Sequence, residues 1–84
     1  MSSVFKIYYE DALDHCIATG DEFATYEEAK VEWDACVKEG PSGYDVAVEL
    51  CEVVGDYEDM ITHEYHEWFT QEEWEAAHPS GYPD

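Results

Sequence analysis

Residues 63–67 read His-Glu-Tyr-His-Glu, and these are residue types that bind zinc. The H-E-x-x-H zinc motif needs its two histidines four positions apart on one face of a helix. Here His63 and His66 are three positions apart, and the alternation of residues around them predicts a strand. Neighbours at odd spacing on a strand point to opposite faces. We therefore expect no shared metal ion, with one histidine at the inner edge of a sheet and the other in solvent.

A second group of possible ligands occupies residues 56–59, Asp-Tyr-Glu-Asp. A calcium-binding EF-hand loop needs spaced oxygen ligands, a central glycine and a terminal glutamate, and this segment has none of that spacing. The chain also lacks a G-x-S-x-G nucleophile motif and a glycine-rich phosphate loop. We expect a solvated acidic turn at 56–59, no cofactor, no metal and no enzymatic activity.

The three cysteines, Cys16, Cys36 and Cys51, are widely spaced and odd in number, which does not indicate a disulfide framework. Cys36 falls on the apolar face of a predicted helix, so we expect a small buried hydrophobe. Residues 1–4 are neither basic nor part of a long apolar stretch, which argues against a secretory signal. No apolar run approaches the roughly 20 residues that span a bilayer. These features favour the cytoplasm.

Charge dominates the composition. The chain has 22 Asp and Glu residues, three Lys and no Arg, for a net charge of −19 over 84 residues. Acidic chains of this kind are often disordered, but those are poor in aromatic residues. Here hydrophobic residues make up 45% and aromatic residues 15%, enough for a core. We expect a folded protein that does not bind nucleic acid directly, because phosphate neutralisation needs Lys and Arg.

The first half of the chain predicts strands followed by one long helix. Residues 4–9 alternate as a half-buried strand, and 16–19 is a candidate for a short second strand after a turn at 11–14. Thr25 and Glu28 fit a capping box at a helix start, and Gly40 is a typical helix end. The apolar stripe of this helix consists of Tyr26, Ala29, Trp33, Cys36 and Val37.

The second half predicts a hairpin and a short helix. Residues 44–54 and 60–69 alternate, and 55–59 supplies the turn. In the second strand, Ile61, His63 and Tyr65 would lie opposite Thr62, Glu64 and His66. Thr70 and Glu73 repeat the capping box before Trp74. The predicted fold is α+β, with a small antiparallel sheet of three or four strands in the order β-(β)-α-β-β. The main helix packs on one face, a short C-terminal helix follows, residues 1–78 form one domain, and 79–84 form a loose tail.

The acids expected to contact a partner lie on three predicted surfaces: the outer side of the helix, the turn between the last two strands, and the open face of the sheet. They are Glu27, Glu28, Glu32, Asp34 and Glu39 on the helix, Asp56, Glu58 and Asp59 in the turn, and Asp45, Glu49 and Glu64 on the sheet. Aromatic residues are favoured at interface centres, and Tyr8, Tyr57 and Trp68 are the candidates.

Size, charge, the absence of Arg and the aromatic content together resemble the small acidic DNA-mimic inhibitors of bacteriophages and mobile elements. That class includes anti-CRISPR, anti-restriction and uracil-DNA glycosylase inhibitor proteins. Segment 23–29 is also similar to the strand-to-helix entry of small phage proteins. The class shares no motif, so it assigns no role to single residues. The resemblance implies an inhibitor, in the host bacterial cytoplasm, that occupies the basic groove of a CRISPR effector complex, a restriction enzyme or a repair enzyme.

Two alternatives remain open. One is an acidic interaction module that binds a basic protein without mimicking DNA. The other is a halophilic domain whose charge is an adaptation to concentrated salt. Halophilic surfaces tend to prefer Arg over Lys and Asp over Glu, whereas this chain has no Arg and more Glu than Asp. We therefore favour the DNA-mimic hypothesis.

Overall fold

A computed structural model describes residues 3–13, 15–55 and 59–77, and of Asp59 only the backbone. The elements are β1 (Ser3–Asp11), β2 (Cys16–Phe23), α1 (Tyr26–Glu39), β3 (Asp45–Val54), β4 (Asp59–Glu67) and α2 (Gln71–Ala77). The predicted α+β class, the main helix and the short C-terminal helix are confirmed. The turn acids Asp56 and Glu58, the aromatic candidate Tyr57 and the tail 79–84 lie outside the described residues.

The four strands form one sheet in the order β2-β1-β3-β4, and each neighbouring pair is antiparallel. As a result, β2 and β3 run in the same direction on either side of β1, and α1 connects them across one face of the sheet. The second strand is longer than the predicted 16–19. It continues to Phe23, which lies opposite Phe5 in the register, and Lys6 binds Glu22 at 3.2 Å one position away.

The core lies between α1 and the two central strands. Ile7, Val48 and Leu50 are fully buried against the helix. From α1, the predicted apolar stripe contributes Ala29, Trp33 and Cys36 as buried residues, with Tyr26 and Val37 at its margin. Trp33 also donates its indole N–H to the Val48 carbonyl at 3.4 Å. Burial of each Leu or Ile side chain stabilises a fold by roughly 1.5–3 kcal/mol, so this contact fixes the helix on the sheet.

Both ends of α1 are closed by local hydrogen bonds. The Thr25 hydroxyl oxygen accepts from the Glu28 amide at 3.2 Å and donates to the Glu28 carboxylate at 3.1 Å. At the other end Gly40 has φ +90°, which L side chains rarely adopt, and its N–H donates to the Cys36 carbonyl at 3.1 Å. The boundaries of α1 are thus set by residues adjoining it in the sequence.

A second, smaller core holds α2 at one end of the sheet. Trp74 is only 1% exposed and packs with Ala12, Val46 and Ala47. The predicted capping box is complete: the Glu73 amide donates to the Thr70 hydroxyl at 3.1 Å, and the Thr70 amide donates to the Glu73 carboxylate at 2.9 Å. One buried indole and one cap therefore hold a helix of only seven residues.

A bulge at His63 makes the predicted faces of β4 wrong for the residues that follow it, from Glu64 onwards. The register shifts between Leu50 and Cys51, so that Leu50 lies opposite Glu64 and Cys51 lies opposite Thr62. His63 is therefore the extra residue, and a bulge breaks the two-residue period on which the prediction depended. Its ring contacts Phe5 at 5.5 Å between centroids, which places it on the α1 side.

The bulge also brings His63 and His66 to the same face, because His66 lies opposite the buried Val48. The two rings nevertheless have different neighbours. His63 Nε2 lies 3.0 Å from the Glu52 carboxylate, whereas His66 meets the edge of Trp68 at 5.8 Å. Among the described residues, no group of potential metal ligands includes either histidine.

Replacement of Thr25 by Ala is expected to lower the free energy of unfolding by roughly 1 kcal/mol, because it removes the side-chain acceptor at the helix start. Urea unfolding followed by tryptophan fluorescence measures the change. Thr19→Ala, at an exposed position on β2, is the matched control and is expected to stay within about 0.5 kcal/mol of the parent. Equal effects of the two substitutions would contradict a capping role.

Candidate partner-binding surface

The outer side of α1 is acidic and open to solvent. Its five predicted acids, Glu27, Glu28, Glu32, Asp34 and Glu39, are all exposed. At 100° per residue, three of them fall within a sector of about 40° and make one line along the helix. We call Glu28, Glu32 and Glu39 the α1 acid row. With a rise of 1.5 Å per residue, the row is about 16 Å long.

The α1 acid row lies on the flank of the helix that is turned away from β4. The opposite flank faces β4, because the Tyr26 hydroxyl on that side donates to the Glu64 carboxylate at 2.6 Å. On β2, Asp21 and Glu22 are exposed as well. Glu22 pairs with Lys6, which lies opposite Cys51 on the open face, so its carboxylate is on the other side of the sheet from α1.

Several of the predicted contact acids are already bound within the chain, and Asp34 and Glu64 are two of them. Asp34 accepts from Lys30 at 2.6 Å, and this hydrogen bond raises the pKa of Lys30. Glu64 was expected on the open face, but the bulge turns it towards α1, where its bond with Tyr26 raises the pKa of that phenol. The sequence pattern predicted that both carboxylates would be free to contact a partner, and these internal bonds make them less available.

Asp45 also differs from its predicted place on the open sheet face. It stands at the first position of β3, where its carboxylate accepts from the Ser42 amide and hydroxyl, both at 3.4 Å. Burial raises its pKa. The β1–β3 register shifts at this point, so that Asp45 lies opposite Asp11, and the alternation that predicted its face does not extend this far. Asp45 therefore helps to form the turn before β3.

Glu49 lies on the open face, as predicted. In the register it stands opposite Tyr8 of β1 and Tyr65 of β4. Its carboxylate accepts from two thiols, Cys51 at 3.5 Å and Cys16 at 3.7 Å. Burial, followed by the negative charges of Glu49 and Glu10, raises the pKa of the Cys16 thiol to about 11.

Sequence reasoning did not associate Glu10, Cys16 and Cys51 with Glu49. The sequence held a signal for two of them. Glu10 follows Tyr8 by two positions and Cys51 follows Glu49 by two, which places each pair on one face of its strand.

Of the predicted aromatic contacts, Tyr8 is on this open face and partly buried. Trp68 instead stacks on Tyr9 at 6.1 Å and belongs to the margin of the core.

The positive charges do little to offset the α1 acid row. Lys6 pairs with Glu22, Lys30 pairs with Asp34, and Lys38 is exposed in the last turn of α1. Within the described part of the chain, no ion pair or hydrogen bond engages the carboxylates of Glu32 and Glu39. Their charge is therefore available to a partner.

Comparison of the chain with protein-family models, with curated proteins and with solved structures finds no match. Functional inference therefore depends on the residues and their geometry. Within the described ranges, neither helix has the length and apolar character needed to cross a bilayer.

Glu52 illustrates an acid held by its own chain. Its carboxylate accepts from the Ser3 hydroxyl at 2.7 Å and lies 3.0 Å from His63 Nε2, and these two contacts, in that order, lower its pKa. A depressed carboxyl pKa contributes stability above the ordinary pKa of the unfolded chain, and this contribution is lost as pH falls through the depressed value.

Ser3→Ala is therefore expected to raise the pKa of Glu52 towards its ordinary value and to reduce the stability gained above about pH 4.5. NMR titration of the side-chain carboxyl carbon measures the shift directly. Ser42→Ala, which removes a hydroxyl bound to Asp45 instead, is expected to leave Glu52 unchanged. An identical Glu52 titration in both variants would exclude the Ser3 hydrogen bond as the cause.

Proposed function

We propose that this protein is a DNA-mimicking inhibitor that occupies the basic nucleic-acid-binding groove of a host defence protein. A CRISPR effector complex is the favoured target, ahead of restriction and repair enzymes. The α1 acid row is the feature that supports this proposal: three exposed carboxylates in a line, on a helix that is fixed to the sheet. The Glu residues on this row present charge outward, as a phosphate backbone does.

The charge density of the protein is comparable to that of a nucleic acid. Its Cα atoms extend over 47 Å along the longest axis, and the net charge is −19, or one charge for about every 2.5 Å (47 Å divided by 19). Duplex DNA carries one charge per roughly 1.7 Å of axis, and each of its strands one per roughly 3.4 Å. A groove shaped to attract phosphates would therefore also attract this domain.

Rigidity makes the charges useful for binding. Thr25 caps the N-terminus of α1, Trp33 packs its apolar face against the sheet, and Gly40 ends the helix. A partner therefore meets carboxylates whose backbone positions are already ordered, so that less conformational entropy is lost on association. Complementary charge then steers the encounter and makes the affinity depend on salt.

The first experiment is affinity capture with the tagged protein from a bacterial lysate that contains CRISPR and restriction systems. The expected result is retention of a nucleic-acid-binding protein or complex that both high salt and added duplex DNA release. Retention of a basic partner that duplex DNA does not displace would overturn mimicry in favour of an acidic interaction module. Failure to retain any specific protein would favour an adaptation of the surface to salt.

Reversal of two charges in the α1 acid row, Glu32→Lys with Glu39→Lys, is expected to weaken binding to the captured target by roughly tenfold or more at low salt. The salt dependence of the affinity should become shallower as well, because fewer charges are neutralised. Glu72→Lys with Glu75→Lys, on exposed positions of α2, is the control with the same change in net charge. Both variants should stay folded, since self-repulsion falls.

Isothermal titration calorimetry or surface plasmon resonance measures the affinity of each variant for the same target. A loss confined to the α1 variant assigns the contact to the row. Equal losses in both variants would show that bulk charge, rather than the row, determines the affinity.

The protein is expected to be folded at about 0.1 M salt, and its Tm should rise with added salt, because screening weakens repulsion among the carboxylates. Thermal scans by circular dichroism from about 0.1 M to about 1 M potassium chloride measure this dependence. A domain that unfolds at low salt and folds only near molar salt would instead support the halophilic alternative.

A further inference from the structure

Three strands each bring one potential metal ligand to the same point on the open face of the sheet. They are Glu10 of β1, Cys16 of β2 and Glu49 of β3, and their ligand atoms all lie within 4.8 Å of one another. The register explains the meeting: Glu10 lies opposite Cys16, and Glu49 lies opposite Tyr8, two positions along β1 from Glu10. Since all three positions are on sheet strands, their backbones are held by the ladders.

One pair of ligand atoms in this group already has the spacing that a tetrahedral ion needs. Cys16 Sγ and Glu49 Oε1 are 3.7 Å apart. With metal–sulfur bonds of about 2.3 Å and metal–oxygen bonds of about 2.0–2.2 Å, a tetrahedral angle separates the two ligand atoms by roughly 3.5–3.7 Å. The sulfur and the oxygen therefore already stand at the distance that one shared zinc ion requires.

Each carboxylate is also oriented by a neighbour outside the group. The Tyr65 hydroxyl donates to Glu10 Oε2 at 3.2 Å, and the Cys51 thiol donates to Glu49 Oε1 at 3.5 Å. Contacts of this kind fix ligand side chains and are a regular part of protein metal sites.

The group can be reached from solvent. A cavity of about 120 Å³ opens beside it and is lined by Glu10, Asp11, His15 and Cys16. Cys16 is exposed, so an ion can reach the sulfur without a change of fold. The cavity, which Glu49 does not line, is large enough to hold a water molecule.

We propose that Glu10, Cys16 and Glu49 bind one divalent metal ion of zinc type. A thiolate beside two carboxylates favours Zn²⁺ or Co²⁺ over Mg²⁺ and Ca²⁺, which prefer ligand sets made of oxygen alone. On binding, the Cys16 S–H bond breaks, the sulfur forms the metal bond, and the proton passes to solvent. The strongly negative domain raises the local concentration of the cation. This site is independent of the α1 acid row and of the proposed inhibition.

Titration of the reduced, metal-free protein with Co²⁺ tests the proposal. The expected result is saturation at one equivalent, with visible absorption typical of tetrahedral cobalt and a near-ultraviolet band from the sulfur–cobalt bond. Zn²⁺ should abolish both bands by displacement, whereas an excess of Mg²⁺ should not.

Two pairs of variants identify the ligands. Cys16→Ser is expected to remove the sulfur band and to weaken Co²⁺ binding at least tenfold. Cys36→Ala, which removes a buried thiol on the inner face of α1, is expected to keep the band and the affinity. Glu49→Gln should weaken binding, whereas Glu67→Gln at an exposed end of β4 should not. Circular dichroism confirms that each variant is folded.

Several outcomes would overturn the site. Cobalt binding without a sulfur band would show that carboxylates alone hold the ion, as would easy displacement by Mg²⁺. If the sulfur band persisted in Cys16→Ser and disappeared in Cys51→Ser, the sulfur ligand would be Cys51, and the proposed site would be wrong. All of these results stand apart from the capture experiment, so the metal site and the inhibitory function can fail separately.

Discussion

The packing of α1 on β1 and β3 is the contact on which the rest of this structure depends. Nineteen net negative charges repel one another within a small domain, and they are opposed by a core that contains little more than one helix face and two central strands. Trp33 is the largest residue of that helix face, and it both fills the space above Val48 and binds its carbonyl. Because the contact between helix and sheet is made by apolar side chains, it needs no acidic residue. The acids can therefore stay in solvent without a positively charged partner.

The acids of this protein have three different uses. Some close helices, as Glu28 and Glu73 do at the two capping boxes. Others are bound by side chains of the same protein, as Glu52 and Glu64 are. The remainder project into solvent from fixed backbone positions, and Glu32 and Glu39 of the α1 acid row belong to this last group. The carboxylates that are bound within the chain are less free to contact a partner, so a count of acidic residues is a poor guide to the binding surface.

The helical parts of the fold could be predicted because the information is local. The apolar stripe lies within one helix, Thr25 and Gly40 directly flank that helix, and the structure confirms the roles that the sequence pattern predicted for all of them. The exposure of the α1 acids follows from the same period. The faces of β4 could not be predicted, because the bulge at His63 arises from pairing with β3 and leaves no mark on the alternation. Glu64 was misplaced for that reason.

The group of Glu10, Cys16 and Glu49 was beyond sequence reasoning for a related cause. Its members come from three strands, and only the order β2-β1-β3 makes them neighbours. A pattern along one strand shows which residues share a face, but it does not show which strands are adjacent. The open face therefore had to be seen before its chemistry could be considered.

The strand order also bears on how the chain reaches its native state. The β1–β2 and β3–β4 hairpins are formed by neighbouring segments, but the central pairing of β1 with β3 joins Ser3 to Val54. Closing such a long loop is entropically costly and slows folding. Both hairpins are acidic, so the central pairing also brings like charges together, and α1 is the segment of chain that joins the two hairpins.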